Sequence, residues 1–322
     1  MKRDKKIRYM LLLLFLTAIT LSTATYSWFS TNRTVYISEL NIKVQAQGGI
    51  EISADAKEWK TIITHENIAN ANETYLNSVN QLPMTMEPVS TGKIVQNGKL
   101  QMYYGHTENK KDDYILLAAK TEEQEGTEGK FMAFDIFLKS DNETNLYLSN
   151  ISGATYSGIT PGIQNAVRFA FLVEGNVNDK LDYLNAQKLN NASASTTYIW
   201  EPNYDTHSAN GIKNALDVYG IEVTEQGSKQ IPYDGLISNI TTQDMVYISK
   251  ANATNYPEMF KPVDVDISTK KEFEENIEIF SLQPGITKVR IYIWLEGQDV
   301  DCENMSAIGN VIFNFQFTTN PS

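Results

Sequence analysis

The chain is expected to be mainly β, a two-sheet sandwich of jelly-roll type with long loops and short helical insertions. Three features of the sequence lead there. Val289, Ile291, Ile293 and Leu295 alternate with Arg290, Tyr292, Trp294 and Glu296. Val311, Phe313, Phe315 and Phe317 alternate with Ile312, Asn314, Gln316 and Thr318. A period of two built from β-branched and aromatic residues suits a half-buried strand. Further short apolar stretches recur along the chain, each bounded by Gly, Asn, Asp or Pro, the spacing of a sandwich rather than of βαβ units.

Thr34–Val44 alternates through Val35 and Ile37 and continues through Leu40 and Ile42, which predicts an N-terminal strand. In Phe131–Leu138 one face holds Phe131, Ala133, Asp135 and Phe137, the other Met132, Phe134, Ile136 and Leu138. The run Asp141-Asn142-Glu143-Thr144 then predicts a hairpin into Asn145–Ser149. Ala166–Val173 is a short apolar run suited to a strand buried on both faces. The two C-terminal strands, joined by the acidic loop Gly297–Asn310, are expected to be neighbours in one sheet. Helical spacing is loose over Ala56–Val79, where Asn interrupts it, and a short helix is expected over Asn210–Val218. Glu122–Lys130 is acidic and Gly-punctuated, so it is expected to be an exposed loop. Residues around 56–82 and 175–285 are read as insertions between core strands.

The first 29 residues have a different character. Lys2, Arg3, Lys5, Lys6 and Arg8 precede an uncharged apolar run from Tyr9 to Leu21, then Ser22-Thr23-Ala24. Basic, apolar and small-residue regions in that order are those of a signal peptide. Thirteen apolar residues fall short of the roughly 20 that a spanning helix needs. Export with cleavage near Ala24 is therefore expected, leaving residues 30–322 as one extracellular domain. The alternative is an uncleaved anchor with the same outward topology, in which Ala24 to Phe29 lengthens the helix. Membrane contact is expected only through this segment, and a signal peptidase is the expected partner during export.

The formal charge is −12. Loss of five basic residues and one acid with the leader takes it to −16, a surface that repels nucleic acid and anionic membranes. A single cysteine, Cys302, excludes an intrachain disulfide, and a core of this size needs none. His65, His106 and His207 lie far apart, and no His-Glu-x-x-His, phosphate loop or Gly-x-Ser-x-Gly elbow occurs. No catalytic residue and no organic cofactor are expected, and the chain is read as a non-enzyme. Asp299, Asp301 and Glu303 set oxygen ligands on alternate residues of the acidic loop, a pattern that suits Ca²⁺. The other reading of that loop is a solvated one with Asx turns.

The junction Ala24-Thr25-Tyr26-Ser27-Trp28-Phe29-Ser30, between an apolar run and a Val/Ile strand, resembles the TasA/camelysin group. These are exported Gram-positive surface proteins whose leaders are removed by a SipW-type signal peptidase. Ser27 and Trp28 stand where that group has small residues, and the analogy moves the expected cut toward Ser27–Phe29. Asp135–Lys139, Asn165–Arg168, Ile199–Asn203 and Ile293–Cys302 resemble uncharacterised surface proteins with the same kind of leader. The resemblance implies a jelly-roll-like extracellular domain and, for some members, a fibre-forming role in biofilm matrix. The partners it implies are further copies of the chain or other matrix and cell-surface proteins. Camelysin's metalloprotease activity does not carry over, because no metal-ligand motif matches.

A strand at the freed N-terminus, Thr34, Val35, Ile37, Leu40 and Ile42, could complete a neighbouring subunit's sheet through main-chain hydrogen bonds. Its other fate is pairing within its own domain. A second class of function is an adhesin or glycan-binding ectodomain, with Tyr103, Tyr104, Trp200 and Tyr204 stacking on sugars. The third is a hydrolase with a site that carries no known motif.

Overall fold

The computed structural model describes residues 35–44, 49–76, 78–110, 113–157, 162–219, 221–224, 229–302 and 310–321. The expected leader, the expected cleavage region at Ala24, Ser27 and Phe29, and Thr34 and Glu303 lie outside these residues.

The N-terminal part forms β1 (Val35–Val44), β2 (Glu51–Ser53), β3 (Ile62–Thr64), helix α1 (His65–Ala69) and β4 (Thr85–Met86). Next come β5 (Val89–Ser90), β6 (Val95–Gln96), β7 (Lys99–Leu100), β8 (Met102–Lys110) and β9 (Asp113–Thr121). The middle holds β10 (Met132–Ser140), β11 (Thr144–Leu148), β12 (Gly153–Ser157) and β13 (Val167–Val177). Helix α2 (Tyr183–Lys188), β14 (Thr197–Glu201) and helix α3 (Ala209–Tyr219) follow. The last third contains β15 (Asp234–Leu236), β16 (Phe260–Pro262), β17 (Ile267–Ser268), β18 (Ile277–Leu282), β19 (Gly285–Leu295) and β20 (Asn310–Thr318).

The fold is mainly β, and two sheets form a sandwich. The first runs β18-β11-β20-β1-β3, with β12 also on β20 and β4 also on β1. The second runs β17-β14-β13-β19-β10-β2. Their facing sides share one core, in which Val289, Ile291 and Ile293 of β19 meet Phe313, Phe315 and Phe317 of β20. Phe169 of β13 stacks on Trp200 at 4.5 Å and meets Phe313 and Phe315 edge-on at 5.7 Å each. Phe171 meets Phe317 edge-on at 5.7 Å. Offset and edge-on contacts of this kind add to the burial of the rings themselves. Both C-terminal alternations thus point their apolar sets into the same interior, as a sandwich requires.

That arrangement corrects two expected neighbour relations. β19 and β20 lie in different sheets, since β19 pairs with β10 and β13 while β20 pairs with β1, β11 and β12. The segment 131–149 is likewise no hairpin, because β10 sits in the second sheet and β11 in the first. In both cases facing apolar sets oppose each other across the core, so the connection climbs from one sheet to the other. Residues 175–285 are more than an insertion: β14, β17 and β18 extend both sheets. Over 56–79 helix is confined to α1 and one 3-10 turn, Asn70–Glu73, which carries the asparagines that break the pattern. Helix α3 covers the expected 210–218.

A third layer changes the character of the second sheet. Phe131, Ala133, Ala170, Leu172, Ile199, Tyr292 and Trp294 point away from the sandwich core. They pack beneath Val89, Leu100, Met102, Tyr233 and Val263. The small sheets β5-β8-β9, β6-β7 and β15-β16 supply much of this cover. Every residue of β19 is therefore buried, where the sequence predicts a half-buried strand.

Phe315→Ala is expected to cost about 3–5 kcal/mol, the range for removing a fully buried ring. Leu216→Ala, at a half-exposed helix position, is expected to stay within about 0.5 kcal/mol. Urea midpoints at unchanged m-value measure both.

Candidate functional site

The side chains with chemical potential gather on the outer face of the second sheet, under the third layer. Alternation sets them there. β13 sends Phe169 and Phe171 into the sandwich core and turns Arg168 and Glu174 outward; β19 turns Lys288 and Arg290 outward; β10 turns Asp135 outward. All five are buried. A charge removed from water is tolerated only when paired and hydrogen-bonded, and two networks meet that demand.

The first network surrounds Arg168. Its guanidinium pairs with both Glu201 and Asp299, and Nη1 donates to the carbonyls of Asn165 and Val167 at 3.1 and 3.0 Å. Burial alone would lower the Arg168 pKa, but Glu201 and Asp299 raise it, so the group stays charged. Asp301 accepts from the Ser208 amide at 2.7 Å and lies 2.9 Å from His207 Nδ1. Burial works to lower the His207 pKa, and the Asp301 carboxylate overrides it and raises it. Glu296 accepts from Trp294 Nε1 and from the Gln298 amide, each at 3.0 Å. Burial pushes its carboxyl up to about 7.

The described part of the acidic loop, 296–302, is buried rather than solvated and carries an Asx turn at Asp299, while Glu303 lies outside the described residues. Asp299 Oδ2 is taken by Arg168, Asp299 Oδ1 by the Asp301 amide at 2.8 Å, and Asp301 by His207 and Ser208. A guanidinium on one carboxylate and an imidazole on the other leave little room for the six to eight oxygens that Ca²⁺ takes. Among the described residues no group of three His, Cys, Asp or Glu side chains could hold a metal ion. Cys302 is buried in the main core cluster.

The second network lies under the other end of the sheet. Asp135 accepts from Arg290 Nη1 at 2.7 Å and Tyr75 OH at 2.8 Å, with Lys288 Nζ 3.2 Å away. Burial would raise the Asp135 pKa, yet Arg290 and Lys288 hold it below the usual carboxylate range. Arg290 also binds Glu123, at 3.2 Å from Nε and 2.8 Å from Nη2. The 122–130 loop is otherwise largely exposed, so Glu123 is the one of its acids that reaches the network. Glu174 differs from these acids. Burial pushes its carboxyl up to about 7, Oε2 accepts from the Ala192 amide at 3.0 Å, and the buried Oε1 has no protein partner. A cavity of about 310 Å³ opens beside Glu174, Asp135, Lys288 and Arg290.

The aromatics expected to stack on sugars are mostly committed elsewhere. Trp200 lies in the sandwich core and donates Nε1 to Thr269 Oγ1 at 3.0 Å. Tyr103 is buried and donates to the Ile237 carbonyl at 2.8 Å. Tyr104, half-buried, holds Lys130 Nζ 3.9 Å from its ring centre. Tyr204 is half-buried. Of the expected assembly strand, Val35, Ile37, Leu40 and Ile42 lie in β1, paired on both edges.

Sequence reasoning passed over Arg168, Glu174, Lys288 and Asp135 as site residues. Their signal was charge at alternate positions inside long apolar strands, a pattern that demands buried partners once both faces are covered. No family model, curated protein or solved structure matches the chain, so the site stands on this geometry.

Arg168→Met strands Glu201 and Asp299 without their cation and is expected to destabilise by about 3–5 kcal/mol near neutral pH. The triple change Arg168→Met, Glu201→Gln, Asp299→Asn is expected to recover much of that loss. Equilibrium urea unfolding of the two variants and the parent checks both.

Proposed function

We propose that the chain is a non-catalytic, secreted or cell-surface structural protein whose copies assemble through the N-terminal strand. The backbone pairing of β1 carries this reading. β1 runs parallel to β20, the last strand, from Tyr36 opposite Asn310 to Val44 opposite Phe317. Its other edge pairs antiparallel with β3 and β4. A strand bound by main-chain hydrogen bonds on both edges occupies a slot that the same strand from a second copy would fit equally well. Exchange of an identical element is a low-cost route to assembly, since it reuses contacts already formed within one chain.

Export is supported by the basic, apolar and small-residue order of residues 2–24, and the junction 24–30 adds the resemblance to TasA/camelysin leaders. Under this reading the domain sits outside the cell, in a biofilm matrix or on the surface, with copies of itself or other surface proteins as partners. Removal of the leader frees the segment before β1 for exchange. No metal or organic cofactor takes part. The adhesin reading loses support from the burial of Trp200 and Tyr103.

Two measurements test the proposal. The intact mass of protein released from its native host is expected to begin between Thr25 and Thr31; a Met1 start in the membrane fraction would make it an anchored ectodomain. Deleting residues 30–44 is expected to abolish polymers in electron micrographs and leave a soluble, folded monomer that binds a synthetic 30–44 peptide. Polymers that survive the deletion, or folding lost and not restored by the peptide, would sink the exchange mechanism.

A further inference from the structure

We propose that the cleft beside Glu174 is a binding site for a small hydroxylated carboxylate of the sugar-acid class. The cleft is bounded by the outer face of β10, β13 and β19, by the end of helix α2 and residues 189–190, by Lys99 of β7, and by Tyr75 and Val79. Its volume of about 310 Å³ lies at the lower end of the range for small-molecule sites.

Beside Glu174, just before the cleft-lining Lys99, lies a two-residue turn, Asn97-Gly98, with φ of 53° and 70°. Both values are positive, the backbone of the tight hairpin turn that Asn-Gly favours. A Cβ at Gly98 would lie 1.8 Å from Asn190 Oδ1 and 3.0 Å from Glu174 Oε2. Only glycine allows so close an approach, and the turn carries Lys99 into the cleft lining.

The lining selects the ligand's chemistry. Among the described residues Val79 and Leu189 are its only aliphatic side chains, which disfavours an apolar occupant. Its charged members are Lys99, Lys188, Lys288 and Arg290 against Asp135 and Glu174, with Glu123 behind them bound to Lys99 and Arg290. Cations therefore exceed acids in a protein of net charge −12, which repels a metal ion and favours an anion. Asp135 and Glu123 are fully engaged by their partners. Glu174 keeps Oε1 buried and without a protein partner, a state that disfavours the charged carboxylate.

Glu174 faces Lys288 and Arg290 of β19, Asp135 of β10, Tyr75, and the Ala192 amide beyond α2. In its protonated form Glu174 takes one negative charge out of the lining, so that Lys188 at the exposed rim and Lys99 can offset the charge of a ligand carboxylate. The Asn190 side-chain amide lines the same space and suits a ligand hydroxyl, while Gln187 Nε2 is held by the Asp55 carbonyl at 2.6 Å. Because the carboxyl titrates near 7, an anion that needs the protonated form binds more weakly as pH rises above that value, by about tenfold per unit.

Titration of the full chain with D-glucuronate, followed by calorimetry, tests this. Binding at pH 5.5 is expected to be at least about tenfold tighter than at pH 8.5. Glu174→Gln keeps this position neutral at either pH and is expected to bind at pH 8.5 as tightly as the parent does at pH 5.5. Lys188→Glu, at an exposed position that leaves folding intact, is expected to weaken binding by about tenfold or more. D-glucose, which lacks the carboxylate, is expected not to bind. Competition by polygalacturonate would assign the natural source to an acidic polysaccharide, and its absence to the free acid. The proposal is overturned if D-glucuronate fails to bind at millimolar concentration, if glucose binds equally, or if Glu174→Gln keeps the parent's pH dependence. Thermal melting of each variant separates lost binding from lost folding.

Discussion

Three cations, Arg168, Lys288 and Arg290, stand on the outer face of the second sheet with a third layer closed over them. A buried guanidinium or ammonium is stable only where carboxylates and carbonyls meet it. Much of the remaining architecture supplies those partners. The 296–302 turn brings Asp299 to Arg168, the 122–130 loop and Val79 bring Glu123 and a carbonyl to Arg290, and the C-terminal end of α2 and Tyr75 bring carbonyls and a phenol to Lys288. Segments that look like loose connections in the chain are anchored by the charges they neutralise.

The same constraint separates the two ends of the sheet. Around Arg168 the acids are matched by cations and amides, with Arg168 Nε and His207 Nε2 left unpartnered, and Asp299 and Asp301 act as struts between β13, the segment after β14 and the end of β19. Around Lys288 and Arg290 the matching is incomplete. Asp135 and Glu123 are satisfied, whereas Glu174, which lines the cavity, keeps a buried oxygen without a protein partner. An unpartnered buried oxygen in a native fold calls for a physical account, and the proposed binding site at this end of the sheet supplies one.

The sandwich core was legible because alternation in β19 and β20 marks one apolar side on each strand, and both strands form where expected. Faces were legible too: the two sets of residues in 131–138 separate into the inner and outer cores as their spacing implies. Neighbour relations were not. Whether two successive strands pair or oppose each other across a core depends on where the chain turns between sheets, and the strand pattern is the same in either case. The acidic 296–303 stretch invited a solvated or calcium-binding reading for a related reason, since its partners Arg168, Ser208 and His207 lie about 90 to 130 residues earlier.

By itself the sequence determined the β class, the apolar face of each long strand and the break in character near residue 30, since these follow from local periodicity and composition. Only the tertiary structure decided which strands share a sheet, that the outward face of β19 is buried, and that Glu174 lacks the partner its neighbours possess. Those outcomes depend on contacts between residues far apart in the chain. Pairing, burial and the electrostatics of an acid are properties of what surrounds a side chain, and local pattern does not encode those surroundings.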